Sequence, residues 1–370
     1  MAKKQIEKGN LLEFRAKRLL FYMGYYAVHN ILIKTSNDQF SDEVTDLDVL
    51  GIQYTNDFRN STIWMDCKSG KIKTMERLTW INGVKNYLNI DEVLFIANSK
   101  KSALDYASQL NIQIFDQQVF DGIEKRFNIN TNNWYGSWNP EIMLSINQQF
   151  KEITISGVGI KKISDFITSD YWIYDTFTGI KKTISALREL SRIPYEVLNV
   201  TEKQAFKWSV YQLTILLTNS ILKVNREVFY LEKTKREEYI DQKLIASDIP
   251  INRRNEIFNS AVYLISEKLK NSNPELATTS LDVNVSPPQY AEALNNVVER
   301  LISFPKYADD IMRTMDLLFM EFDLLDKPLD KEIINGLLPN YEDNVIGIKI
   351  ILHFIIGNSG IDKKLYKLII

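Results

Sequence analysis

Asp46-Leu47-Asp48-Val49-Leu50-Gly51-Ile52-Gln53-Tyr54 and Thr62-Ile63-Trp64-Met65-Asp66-Cys67-Lys68, joined by Thr55-Asn56-Asp57-Phe58-Arg59-Asn60-Ser61, decide how this chain folds. Both runs are rich in β-branched and aromatic residues, and the segment between them is turn-forming, so together they predict a β-hairpin. Side chains alternate across a strand. Thr62, Trp64, Asp66 and Lys68 therefore share one face, and Ile63, Met65 and Cys67 the other. In the first strand Asp46, Asp48, Leu50, Ile52 and Tyr54 share a face. A symmetric turn pairs Tyr54 with Thr62, which sets Asp48 opposite Lys68 and diagonal to Asp66. Directly opposed Cβ atoms lie about 4.5–5.5 Å apart and diagonal ones about 7–8 Å, a spacing that admits a divalent cation between two carboxylates. A slip of one residue would undo this geometry.

Two close carboxylates repel unless a cation lies between them. Mg²⁺ prefers oxygen ligands, activates water and stabilises charge on a phosphate. A lysine beside it orients that water or neutralises the developing charge. Asp48, Asp66 and Lys68 supply those parts, with the backbone carbonyl of Cys67 as a further metal ligand. The Cys67 side chain lies on the opposite face and is expected to act as a small buried hydrophobe. His29 and His353 are isolated, which leaves no material for a histidine metal site or a Ser-His-Asp triad.

Outward from the hairpin, residues 10–24 have the apolar spacing of an amphipathic helix ended by Gly24. Tyr25–Ile33 is a strand, Thr74–Leu88 a helix, Glu92–Ala97 a buried strand, Ser102–Leu110 a helix and Ile112–Phe115 a last strand. The order αβββαβαβ predicts a mixed sheet flanked by helices. The turn-prone stretch 128–150, with Trp134, Tyr135 and Trp138, is expected as a linker or boundary in which these aromatics pack domains together. Residues 151–370 are expected to be mainly helical. Capping-box spacing at Thr201/Gln204 and Ser286/Gln289 predicts two helix starts.

The 370 residues suffice for two domains. The single cysteine excludes an intramolecular disulfide and fits a reducing compartment. The basic start Met1–Lys8 has no apolar stretch behind it, and the apolar run Val345–Ile356 is broken by Lys349 and His353. Neither a signal peptide nor a membrane span is expected, and the expected location is the cytoplasm. With net charge −2 and pI about 5.9, a polyanion must be gripped by local patches rather than by the whole surface. Such patches are Lys3/Lys4/Lys8, Arg15/Lys17/Arg18, Lys68/Lys71/Lys73 and Lys100/Lys101.

Asp48 followed by Asp66-Cys67-Lys68 resembles the PD-(D/E)xK signature of the restriction-endonuclease-like superfamily. Gly9-Asn10-Leu11-Leu12-Glu13, with Gly24-Tyr25, is similar to the opening helix of the Mrr-like and Holliday-junction-resolvase branches. Glu92–Ala97 and Ser102–Phe115 resemble the rest of that core, so the likeness covers residues 5–120 or so. Leu47 stands where the signature has proline, and Asp46 is a substitute acid on the same face. The resemblance implies an α/β restriction-endonuclease-like domain over 1–127 and does not reach the mainly α-helical domain expected over 151–370. It implies Mg²⁺-dependent hydrolysis of DNA, less often RNA, with Mn²⁺ able to substitute. Glu13 would join Asp48 and Asp66 at the metal, Lys68 would assist catalysis, and Lys71 and Lys73 would meet substrate phosphates. By analogy it implies a role in restriction or anti-phage defence, with the helical part selecting substrate, forming a homo-oligomer or docking a partner protein. Two other D-x-K matches, at Asp241 and Asp362, lack an upstream strand acid. The rival expectation is a nucleic-acid-binding or partner-dependent subunit with a nuclease fold that is inactive alone.

Overall fold

A computed structural model of the chain describes residues 7–35, 42–68, 70, 72–150, 154–155, 157–246, 251–272 and 286–369. Helix α1 (Lys8–Tyr22) leads into strands β1 (Tyr26–Lys34), β2 (Glu43–Tyr54) and β3 (Asn60–Cys67). Helix α2 (Thr74–Leu88), β4 (Glu92–Ile96), α3 (Lys101–Gln109), β5 (Ile112–Phe115) and α4 (Gln117–Arg126) follow. The five strands form one mixed sheet in sequence order. Antiparallel pairing joins β1 to β2 and β2 to β3, whereas β3, β4 and β5 run parallel. The parallel strands need crossovers, which α2 and α3 supply.

Both sheet faces are covered. Leu50, Ile52, Trp64, Val93 and Phe95 pack with Leu78, Ile81 and Val84 of α2 and with Ala103 and Ala107 of α3. Val49, Ile63, Met65 and Cys67 pack with Leu12, Ala16, Leu19 and Leu20 of α1 and with Phe120 of α4. Helix α1 stops where Gly24 adopts φ +98°, and the Tyr25 N–H closes onto the Leu20 carbonyl at 2.9 Å. Asp116 caps α4 by accepting from the Val119 N–H.

The hairpin register differs from expectation by two residues. Tyr54 pairs with Asn60 and Ile52 with Thr62. The loop is shorter than its polar sequence suggests because Phe58 turns inward with φ +60° and is buried against Phe229. Burying that ring draws Asn60 and Ser61 into the ladder. A shift of two preserves the faces, so Asp48 and Asp66 stay on one side but come to lie opposite each other at the end of the paired run.

The stretch 128–150 holds a short 3₁₀ turn, Gly136–Trp138, and helix α5 (Pro140–Phe150). Trp138 is fully buried against Phe21 of α1 at 4.3 Å between ring centroids. A two-stranded ribbon, β6 (Thr154–Ile155) and β7 (Val158–Gly159), precedes α6 (Ile160–Thr168) and α7 (Thr176–Ser191). Helix α8 (Val200–Val228) is buried nearly all round, as a helix surrounded by others is. Its start is fixed by a capping box from Asn199 to Glu202 instead of Thr201 to Gln204. Helices α9 (Lys233–Ala246), α10 (Ile251–Ser272), α11 (Ala291–Ser303), α12 (Ile311–Leu317), α13 (Lys331–Leu337) and α14 (Tyr341–Ser359) complete the region. Ser286 caps no helix, because α11 begins only at Ala291, after a turn from Pro288. Among the described residues no helix is long and apolar enough to cross a membrane.

Candidate active site

Asp48 of β2 and Asp66 of β3 are both buried, and Lys68 follows the end of β3. The Asp48 Oδ2 accepts the Cys67 N–H at 2.6 Å and the Lys68 ammonium at 3.0 Å. The same ammonium lies 3.4 Å from Asp66 Oδ1. Burial, then the facing Asp66 charge, pushes the Asp48 carboxyl above its ordinary value, and Lys68 opposes the push. Burial disfavours the Lys68 charge, but Asp66 and Asp48 more than offset it, and its pKa is raised.

Arg77, which the sequence did not single out, holds Asp66 from the other side. Its Nε donates to Asp66 Oδ2 at 2.9 Å, and a terminal guanidinium nitrogen donates to Oδ1. The guanidinium lies 3.7 Å from the centroid of the Trp80 ring, which meets Trp64 edge-on at 5.8 Å. Arg77 and Trp80 are three apart on α2 and so share a helix face. That spacing is visible in the sequence, but which strand acid the shared face lies over is not.

Glu13 is half-buried on α1, and its carboxyl is pushed from 4.5 to about 7. Burial is the main cause and the Asp48 charge the next, partly countered by Lys68, while the exposed Asp46 raises it slightly. Among the described residues no group donates a hydrogen bond to Glu13 or to Asp48 Oδ1. The Cys67 thiol sits in the apolar cluster beneath α1, and burial raises its pKa well above the ordinary thiol value. Lys73 is exposed and pairs with Glu76 at 3.0 Å, and Lys71 lies outside the described residues.

The second basic patch is not a surface patch. Arg15 pairs with Asp121 and Glu124, and Arg18, fully buried, binds Glu124 and the carbonyls of Asn130, Thr131 and Asn133. Lys17 is buried too. A guanidinium offers five donors, and here they tie α1 to α4 and to the chain beyond it.

No group of three or more His, Cys, Asp or Glu is drawn into a metal-holding cluster among the described residues. The donor set nevertheless fits a hard cation in kind: Asp48 is in electrostatic reach of both Asp66 and Glu13, Asp48 Oδ1 and the Glu13 carboxyl accept no hydrogen bond from the described residues, and burial followed by the Asp48 charge raises the Glu13 carboxyl to about 7. Asp66 is the exception, since both of its oxygens are engaged. A cleft of about 330 Å³ opens beside Lys68, lined also by Lys8, Arg15, Asn98 and Gln117. A larger cavity, about 670 Å³, lies in the helical region near Lys207 and Asp323 and shares no residue with it. Comparison of the chain with family models, curated proteins and solved structures gave no match.

Proposed function

We propose that the protein is a divalent-metal-dependent endonuclease of the PD-(D/E)xK type acting on DNA. The observation that carries this is the ion-paired set Asp48–Lys68–Asp66 at the end of the β2–β3 ladder, with Glu13, its carboxyl raised to about 7, in electrostatic reach of Asp48. Asp48, Asp66 and Glu13 would hold Mg²⁺, or Mn²⁺ in its place, together with the Cys67 carbonyl. When bound, the ion would polarise the phosphate and acidify a coordinated water. Lys68, already anchored by Asp48, would place a fixed positive charge where negative charge develops on the scissile phosphate. The Cys67 N–H orients the Asp48 carboxylate. Lys8, Asn98 and Gln117 line the adjacent cleft, where a phosphodiester strand would lie, and Lys73 stands at the start of α2. RNA is the alternative substrate. A role in restriction or anti-phage defence, a cytoplasmic setting and a helical region that oligomerises or docks a partner belong to the same proposal by analogy.

The Arg77 clamp favours a second reading: a nuclease held inactive until substrate or a partner draws the guanidinium from Asp66. Incubation of supercoiled, linear and single-stranded DNA, and of RNA, with Mg²⁺ or Mn²⁺ tests both. Metal-dependent cleavage that falls by two orders of magnitude or more in Asp48→Asn and Lys68→Met is the expected result. Binding of DNA without cleavage under either metal would sink the activity of the isolated chain and leave the latent form.

A further inference from the structure

A second cleft, about 340 Å³, lies between the sheet and the helical region. Its volume falls near the lower end of ordinary small-molecule sites, about 300–1,000 Å³. One wall is the side of β1 and β2 formed by Ile31, Ile33, Leu47, Leu50 and Ile52. Trp172 also lines it, and with its Nε1 already spent on the Ile167 carbonyl the ring presents an apolar surface. Thr62, Asn89 and Asp91 supply polar groups to the lining. The walls are rigidly related, because the Tyr54 hydroxyl donates to Asn219 of α8 at 2.7 Å.

One cation, Lys223, one turn further along α8, joins a lining whose exposed surface is polar as well as apolar. The side chain is densely surrounded by protein and reaches solvent only in part. Burial lowers its pKa, and Glu227 one turn on gives only a through-space attraction, its carboxylate being hydrogen-bonded to Tyr239. Among the described residues Lys223 has neither a hydrogen bond nor an ion pair. A lysine so enclosed, without an ion-pair partner, is costly to keep charged. An occupant with the complementary charge removes that cost.

We propose that this cleft binds a small apolar carboxylic acid, its hydrocarbon body on the β1–β2 face and its carboxylate on Lys223. The single ammonium matches a single negative charge, since a dianionic phosphate would leave charge unpaired. The site is separate from the Asp48–Lys68 centre and does not depend on the metal chemistry proposed there.

Calorimetric titration with octanoate, and with octan-1-ol as the uncharged probe of equal length, tests it. The wild-type chain binds octanoate, and Lys223→Met weakens octanoate ten-fold or more while leaving octanol unchanged. The methionine keeps the length of the stem and removes only an unpaired charge, so the thermal midpoint is not lowered. Leu88→Trp fills the cleft from the end of α2 and abolishes binding of both probes in a chain whose Lys223 is intact. No binding of octanoate by the wild type, equal octanoate affinity in Lys223→Met, or binding that survives Leu88→Trp would each overturn the proposal.

Discussion

At Glu13, burial and the Asp48 charge move the carboxyl to about 7, so near neutral pH it is about half protonated. The folded value lies above the unfolded one. Between pH 4.5 and 7 the folded chain keeps a proton that the unfolded chain has released. Stability therefore declines as pH rises through that window, with the penalty absent below it and complete above it. Without divalent cations, Glu13→Gln should stabilise the protein by about 1–2 kcal/mol at about pH 8, a figure reduced for the solvent screening of a half-exposed group. No gain is expected at about pH 4, and denaturant titrations at the two pH values measure the difference. A gain of equal size at both would mean that the carboxylate is not the source. At Asp66 the balance is different, because Arg77 and Lys68 both neutralise it. Arg77→Leu leaves a buried carboxylate with one partner and should cost about 2–4 kcal/mol, less than a fully buried pair because the guanidinium is partly exposed. Mg²⁺ should restore part of that loss by taking the place of the guanidinium, read as a larger metal-induced rise in melting temperature than in the wild type. A variant that melts like the wild type with and without Mg²⁺ would remove Arg77 from the account. In the sequence, Asp48, Asp66 and Lys68 were legible because strand alternation fixes their common face. Arg77 was not, since its role depends on α2 crossing back over the ends of β3 and β4.

At the scale of elements, the approach of α1 to the sheet sets where Glu13 stands. Gly51 permits that approach: a Cβ there would lie 2.7 Å from Ile63 Cγ2, 3.0 Å from Tyr25 Cβ and 3.2 Å from Leu20 Cδ1. None of these is the free end of a long side chain, so the helix or the strand must move. Gly51→Ala should destabilise by about 1–3 kcal/mol, the range for overpacking a filled core. It should also lower any metal-dependent activity more than Gly83→Ala, a control on α2 with open space around its Cα. Equal behaviour of the two variants in chemical denaturation would show that α1 tolerates displacement. The order and type of the elements from α1 to β5 followed from apolar periodicity and turn residues, because each element buries a face whose period is local. The hairpin register did not follow, because it depends on Phe58 finding a pocket against Phe229, more than 160 residues away in the chain. Composition marks Phe58 only as an apolar residue in a polar turn. The capping box of α8 was missed for a smaller reason: Asn199 and Glu202 have the required spacing, two residues before the Thr201 and Gln204 that share it.

At the scale of the molecule, the apolar core of the helices reaches into the N-terminal region. Phe14, Phe21, Tyr26 and Phe58 of the first sixty residues belong to the same buried cluster as Trp138, Tyr171 and the α8 side chains. Polar ties cross the same boundary. Asn219 of α8 accepts from Tyr54 and donates to Tyr171, and Arg226 pairs with Asp57 at 3.1 Å. Buried Lys17 faces Asp316, which also accepts from Ser137. The polar composition of 128–150 suggested a boundary because asparagines and glycine outnumber its aromatics. What composition could not show is that Trp138 is placed by the surrounding turn onto Phe21 of α1. A shared core of this kind makes separate unfolding of the two regions unfavourable, since either one alone would expose the aromatics of the joint surface. The full chain should then unfold in a single transition, with amide exchange in β3 and in α8 protected to the same limiting free energy. Trp138→Ala should lower both together by about 3–5 kcal/mol, the usual range for deleting a large buried ring. If β3 loses protection while α8 retains it, the sheet and the helices are independent units, and a chain ending at residue 127 should then fold and remain monomeric. If both fall together, that shortened chain should aggregate or stay unfolded, and the site at Asp48 and Lys68 would depend on the helical region for its shape.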